Sequence, residues 1–302
     1  MDAFSPKEIL TLLPALRSLT MQLSHNEPTA NHFDGWSLSD RDPAVLEQMM
    51  PLMAWAYRHY YRVSTSGWEN VPADEPVMFI GSHNGGIAAP DLHMMLYDWC
   101  RYFGTQKPLY GLMHPEVWTA TPAVARIAAQ MGAVKAHPKM GIAALNAGHS
   151  IVVYPGGASD VFRPWRDRHK IYFHNRKGFI KLALKKGVPI VPLISTGAHS
   201  TFFVLTDIYP LMEQLHQQGL PWLFGVDPEV FPIYLGLPWI IGIGPVPHLP
   251  LPVKIRTRVC QPIRFERTGA NAAKDRAYVD ACYEKVRAQM QTALDRLVAE
   301  QI

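Results

Sequence analysis

A chain of 302 residues, 48% of them hydrophobic, is long enough to bury the core of one large α/β domain with appendages. Its three cysteines, Cys100, Cys260 and Cys282, are odd in number, widely spaced and in no metal-ligand pattern, which argues against a disulfide framework and for a reducing cytoplasm. The net charge of +4 is concentrated: residues 163–186 hold nine basic side chains against Asp167 alone, a local +8 that leaves the rest of the chain at −4. No zinc spacing, recognition helix or base-stacking pattern accompanies that charge, so nucleic acid is not an expected partner.

The chain opens with acids where a basic leader would stand, and no secretory signal is expected. Residues 6–23 place Ile9, Leu12, Leu13, Leu16 and Leu19 at helical spacing behind Ser5 as N-cap and Pro6 at the first helical position, with Pro14 as a kink. A second helix is expected after Asp42-Pro43 and through Tyr61, with Leu46, Met49, Met53, Trp55 and Tyr57 on a broad apolar face that suits either a bilayer surface or the domain's own sheet. From Val77 onward strands and helices alternate as βαβ units do. Helices are expected over 90–103, 123–131, 138–147, 177–186 and 271–300, and strands over 109–114, 151–154, 190–194 and 253–259. Residues 230–253 carry no Asp, Glu, Lys or Arg and are long enough to span a bilayer, but six prolines and three glycines interrupt them. They are read as an irregular apolar excursion that lies on a membrane or covers an acyl-chain tunnel, or as a proline-rich buried loop.

The chemistry concentrates in two loops. An apolar strand ends in Gly81-Ser82-His83-Asn84-Gly85-Gly86, and a helix opens at Pro90-Asp91, so an imidazole stands at a strand's carboxyl end with a carboxylate able to fold back onto it. Asp91 alternatively serves as a helix-start acid opposing the macrodipole. A second apolar strand ends in Tyr154-Pro155-Gly156-Gly157-Ala158-Ser159-Asp160, whose glycines admit close backbone approach to a ligand, and two such junctions suggest one shared cleft. The basic segment behind it suits phosphates or anionic headgroups, although Lys177 to Lys186 also read as a solvated helix face.

These pieces, preceded by Gly67-Trp68-Glu69-Asn70-Val71-Pro72 and followed by Val188-Pro189-Ile190-Val191-Pro192-Leu193, stand in the order seen in glycerolipid acyltransferases. Over roughly residues 65–265 the chain resembles the lysophospholipid acyltransferase superfamily. The resemblance implies an αβα sandwich with a mostly parallel central sheet plus N-terminal amphipathic helices. It divides the chain into a membrane-associating helical segment, 1–64, and an acyltransferase domain, 65–302. In that superfamily a His and an Asp five positions apart act on an acceptor hydroxyl that attacks an acyl thioester. Here the interval is eight, His83 to Asp91, and Pro155-Gly156-Gly157 replaces the usual Glu-Gly-Thr-Arg block. Both departures look like the branch that includes diacylglycerol acyltransferase 2 and phytyl ester synthase.

The resemblance makes His83 the general base, assisted by Asp91. Substrate binding falls to Asn84, Gly85, Gly86, Lys135, Pro155, Gly156, Gly157, Asp160, Arg163 and Arg176, with glycine amides as oxyanion donors. Asp160 and Arg163 suit either loop anchoring or acceptor contact. The stretch 131–138 offers Lys135 and His137 but no arginine, which favours a neutral or differently charged acceptor. Acyl-CoA or acyl carrier protein is the expected co-substrate, a lipid the acceptor and the membrane surface a partner, on the cytoplasmic side. No metal and no tightly bound cofactor are expected, since no His-Glu-x-x-His or paired-Cys pattern is present. Two other functions stay open: a hydrolase that passes the acyl group to water, although a Gly-x-Ser-x-Gly elbow is lacking, and a lipid-binding scaffold without catalysis.

Overall fold

The computed structural model describes residues 12–17, 20, 33–115, 117–120, 122–222, 227–244, 246 and 248–300. Short apolar runs become strands: β2 (Met78–Gly81), β5 (Ser150–Val153) and β6 (Ile190–Thr196) are buried along nearly their whole length, as parallel strands covered on both faces must be. With β1 (Ser64–Ser66), β3 (Leu109–Met113), β4 (Ala133–Lys135) and β10 (Arg256–Val259) they build a sheet in the order β1-β10-β6-β2-β5-β3-β4. The strands from β6 to β4 run parallel, and β10 joins β6 antiparallel.

Helices cover both faces of this sheet. On one side α1 (Pro43–Trp55) and α2 (Pro90–Phe103) bury Leu46, Met95 and Trp99 against Phe79, Val191 and Val259. The other side holds α4 (Pro138–Asn146), α5 (Gly178–Lys186) and α7 (Arg276–Ala299), whose Ala144, Ile180, Leu184, Val286 and Met290 close over Ile151 and Ile190. A further helix, α3 (Pro122–Gln130), precedes β4. The result is the expected αβα sandwich.

Helix α1 starts where its sequence says it should, with Asp42 Oδ1 accepting the Ala44 amide at 2.9 Å and Pro43 in the first turn. It runs on as a wider turn over Ala56–Tyr60. Val45, Met49, Met53 and Tyr57 pack against Met94 and Tyr97 of α2, so the apolar face of α1 is part of the domain core. Of the helix expected over 6–23, residues 12–17 and 20 are helical, and the remainder lies outside the described residues.

Two expectations change. The terminal helix breaks at Asp275, which is extended, accepts the Tyr278 amide and so caps α7 after the short helix Ala270–Lys274. The segment 230–253 is no irregular excursion: it supplies β8 (Pro232–Gly236) and β9 (Ile240–Ile243), which with β7 (Phe203–Asp207) form a separate antiparallel sheet. Between β7 and β8 lies α6 (Tyr209–Gln217). Alternation was invisible in β8 and β9 because the outward positions are apolar too, with Leu235, Ile241 and Ile243 exposed. No described helix is long and apolar enough to cross a membrane.

Candidate active site

Strands β2 and β5 are parallel neighbours, with Ile80 opposite Val153, so the loops that leave their carboxyl ends emerge side by side. The helix after β2 covers one face of the sheet and α5, beyond the second loop, covers the other. Loops that part in this way leave a crevice at the strand ends, the usual ligand position in an open α/β sheet.

The eight-residue interval brings the two side chains near each other. Gly85 and Gly86 have φ of 84° and 64°, Ala89 has φ of 40°, and these left-handed residues turn the chain back so that α2 begins beside His83. A Cβ on Gly85 would stand 2.4 Å from Pro90 Cδ, so the turn admits no larger residue. His83 Nδ1 lies 3.8 Å from Asp91 Oδ1, with the imidazole 21% exposed and the carboxylate 4%. Nδ1 has no hydrogen-bond partner within the described residues, and 3.8 Å is beyond hydrogen-bond length. The carboxylate itself is fixed: Oδ2 accepts from the Asn84 amide (3.0 Å) and Asn84 Nδ2 (3.3 Å), and Oδ1 accepts from the Leu92 amide (2.9 Å). The imidazole and the carboxylate are thus neighbours without a hydrogen bond between them.

The second loop contributes a packing wall and a brace. Tyr154 stacks on the imidazole at 4.7 Å between ring centroids and 32° tilt. Gly81 makes room for that phenol, since a Cβ there would come within 2.4 Å of it. Burial, reinforced by the Asp91 charge, holds the Tyr154 phenol well above its usual range, so it stays neutral. Asp160, fully buried on the one-turn helix Gly157–Val161, accepts the His83 amide on Oδ2 (2.5 Å) and the Ser82 hydroxyl (3.1 Å). Arg163, also buried, donates to the His83 carbonyl (2.8 Å), to Asp160 Oδ1 (2.8 Å) and to Asn84 Oδ1. Burial pushes the Asp160 carboxyl up, opposed by the Arg163 charge and the His83 amide.

That brace corrects the sequence assignment. Of the two roles open to Asp160 and Arg163, loop anchoring is the one their contacts describe, because both the N–H and the C=O of His83 are bonded to them. Gly156 belongs to the same arrangement: a Cβ there would fall 2.2 Å from Asp160 Cβ, so the glycine admits the Asp160 side chain rather than a ligand. At Gly157 φ is 58° and an added Cβ would meet Arg176 Nη1 at 2.3 Å, so Arg176 lies over this loop, with its other nitrogen 3.3 Å from Glu229. Pro155 is buried between Tyr154 and these glycines.

Lys135 is not brought to His83. It ends β4, three places from β2 in the sheet, with its ammonium over the Trp36 ring at 5.4 Å. His137 caps α4, accepting the Lys139 amide at 3.2 Å, and is structural. The basic segment is partly neutralised: Lys170 pairs with Asp167 (2.6 Å), and Lys177 with Asp280 (2.8 Å). Among the described residues no group of three or more His, Cys, Asp or Glu is placed to hold a metal ion.

Two histidines that sequence reasoning passed over join the site. His199 Nε2 stands 2.8 Å from the Arg163 carbonyl, and burial followed by the Arg163 charge lowers its pKa to about 3, so it donates as a neutral imidazole. His248 stacks on Phe202 at 4.3 Å and presses on the first loop, where a Cβ on Gly86 would stand 2.2 Å from His248 Cε1. No local signal marks either residue, since each meets the loop from far along the chain.

Comparison with known proteins bears on the family and the fold of the chain. A family model described as diacylglycerol acyltransferase matches residues 122–291, a stretch that holds the second loop, its brace and His199 but begins beyond His83 and Asp91. An uncharacterized protein of Mycobacterium tuberculosis is 27% identical over 254 residues, 82% of this chain and 65% of that one, so the chain spans about two thirds of its length. Diacylglycerol O-acyltransferase 2-like protein 6 of Mus musculus is 39% identical over 57 residues, and diacylglycerol O-acyltransferase 2 of Homo sapiens 34% over 56. These segments are 19% and 18% of this chain and 17% and 14% of the relatives. The crystal structure of the 1-acyl-sn-glycerophosphate acyltransferase of Thermotoga maritima superposes with a TM-score of 0.52 over 97% of both chains at 14% identity, a likeness of fold.

Proposed function

The chain belongs to the diacylglycerol acyltransferase family, and on that premise we propose that it is an O-acyltransferase. It moves a fatty acyl group from the thioester of coenzyme A or acyl carrier protein to the hydroxyl of a lipid acceptor: a lysophospholipid, an acylglycerol or a long-chain alcohol. The observation that carries the reading is the pairing of a partly exposed imidazole with a buried carboxylate on a braced loop. Because Nδ1 faces Asp91, Nε2 is the nitrogen presented to the crevice. It takes the acceptor's proton as the hydroxyl oxygen attacks the thioester carbonyl, while Asp91 steadies the imidazolium that forms. Collapse of the tetrahedral adduct breaks the carbon–sulfur bond, and the imidazolium returns the proton to the departing thiolate. Amides of the first glycine loop, Gly85 and Gly86, are the donors assigned to the oxyanion.

Purified protein incubated with labelled acyl-CoA or acyl carrier protein and a panel of these acceptors tests the reading. A labelled ester that requires both donor and acceptor is the expected product. Free fatty acid in its place would identify a hydrolase, and binding of lipid without turnover, with active relatives as controls, would identify a lipid-binding scaffold.

A further inference from the structure

Among the described residues the sheet β7-β8-β9 is covered on one side. Its inner side packs Val204 and Tyr234 against Val161, Phe162, Phe202 and Val230. Gly242 leaves the room that the Tyr234 ring occupies, since a Cβ there would lie 2.1 Å from it. The outer side is mostly apolar. Phe203, Leu235 and Ile241 stand opposite one another across the three strands, and Ile233 and Ile243 form the next row beside Thr206. The turn between β8 and β9 adds exposed Leu237 and Trp239, and β9 opens with Ile240, 72% exposed. An exposed apolar patch of more than a few hundred Å² marks a contact surface.

What borders the patch indicates what covers it. Trp165 lies against Phe203, with 5.5 Å between ring centroids, and the Arg168 guanidinium sits 3.6 Å above the Trp165 ring. Arg166 is 81% exposed beside it and Lys170 56%, with Asp167 the one acid in this short run. Apolar side chains flanked by tryptophans and a cationic rim match the two layers of an anionic membrane surface at once: acyl chains for the face, phosphates for the rim. The inner side of the same sheet touches the catalytic loop, since Phe202 and His248 both press on Gly86. We propose that the outer face of β7-β8-β9 docks on an anionic lipid surface and thereby sets the His83 crevice at the edge of the bilayer from which a lipid acceptor enters. The docking rests on the acyltransferase reading only for the identity of that acceptor.

The test uses the full chain, without acyl donor, and vesicles of phosphatidylcholine alone or with phosphatidylglycerol. Wild type is expected to sediment with the anionic vesicles, and acyl chains carrying bromine are expected to quench a fluorescence component that Trp239→Phe removes. Ile240→Ser with Ile241→Ser should lower the partition at least roughly tenfold, and Arg166→Gln or Lys170→Gln about fivefold each at low salt. Circular dichroism checks that the surface variants fold; should the double variant unfold, quenching of Trp239 in wild type decides alone. Absence of vesicle binding by wild type, or equal binding by the folded double variant, overturns the proposal. So does a concentration-dependent dimer that the double variant abolishes, which would make the face a contact between copies. None of these readouts depends on acyl transfer.

Discussion

The loops after β2 and β5 have the same plan, a buried parallel strand ending in paired glycines, yet they do opposite work. The first presents a partly exposed His83 whose Nδ1 has no bonded partner among the described residues, 3.8 Å from its carboxylate. The second buries Asp160 and Arg163 and turns their bonds onto the main chain of the first. As the proposed general base, His83 has to move through a fraction of an ångström during a turnover while its backbone stays fixed. Dividing reactivity and rigidity between two loops meets both requirements, and it makes the two separable by mutation.

The largest effect on activity is expected in the first loop. His83→Ala should reduce turnover roughly a hundred- to ten-thousandfold, the contribution of a positioned base, with the melting temperature little changed because the ring is only partly buried and its Nδ1 makes no hydrogen bond among the described residues. Asp91→Asn keeps an acceptor oxygen for the Asn84 amide and should cost less. Steady-state rates measured beside thermal melts decide the matter, and near wild-type turnover by folded His83→Ala would end the base assignment.

In the second loop activity and stability should fall together. Arg163→Met leaves Asp160 charged and buried, a change that costs about 3–5 kcal/mol when one partner of a buried pair is removed. The paired change Asp160→Leu with Arg163→Met should recover much of that stability, since apolar replacement of both partners is often neutral. Turnover should not recover, because the His83 amide and carbonyl would still lack their partners. Recovery of both would show that the pair braces the fold alone and has no hold on His83.

Much of this division was legible in sequence, and the reasons for the rest are physical. The strands flanking the site could be read because two-sided burial writes them as unbroken apolar runs, as in 78–81 and 190–194. Pro90 and Asp42-Pro43 fixed the starts of α2 and α1 through local backbone rules. The nearness of Asp91 to His83 and of the two glycine loops to each other was expected from the strand–loop–helix pattern. Roles that depend on long-range contacts were not: His199 and His248 reach the site from separate loops, and Asp160 looked as much like a ligand contact as an anchor until its burial under the first loop was seen. The small sheet escaped because a strand apolar on both sides loses the period of two that announces it.

Gly156 tests how tightly the brace is fitted. The expectation from sequence is that this glycine admits close backbone approach to a ligand. With Asp160 Cβ 2.2 Å from the added carbon, Gly156→Ala should instead displace the carboxylate and lower stability by about 1–3 kcal/mol, the usual cost of overpacking. Turnover should drop with it. Thermal melting that shows no loss while turnover collapses would restore the ligand-contact role.

The effect that is absent at neutral pH is an acid limb. His199 is held neutral down to about pH 3 by burial and by the Arg163 charge, whereas the unfolded chain protonates it near its ordinary value of 6.5. Between those values the unfolded state binds a proton that the folded state does not, so stability falls as acid is added, by about 1.4 kcal/mol per pH unit at most. Below the folded value both states carry the proton and this contribution to the slope ends. His199→Gln keeps a donor for the Arg163 carbonyl but cannot titrate, so denaturant melts of the variant should lose one proton's worth of slope between about pH 6 and 4. An unchanged slope would mean that His199 takes up its proton in the folded state, which requires the second loop to open in mild acid and release the brace on His83.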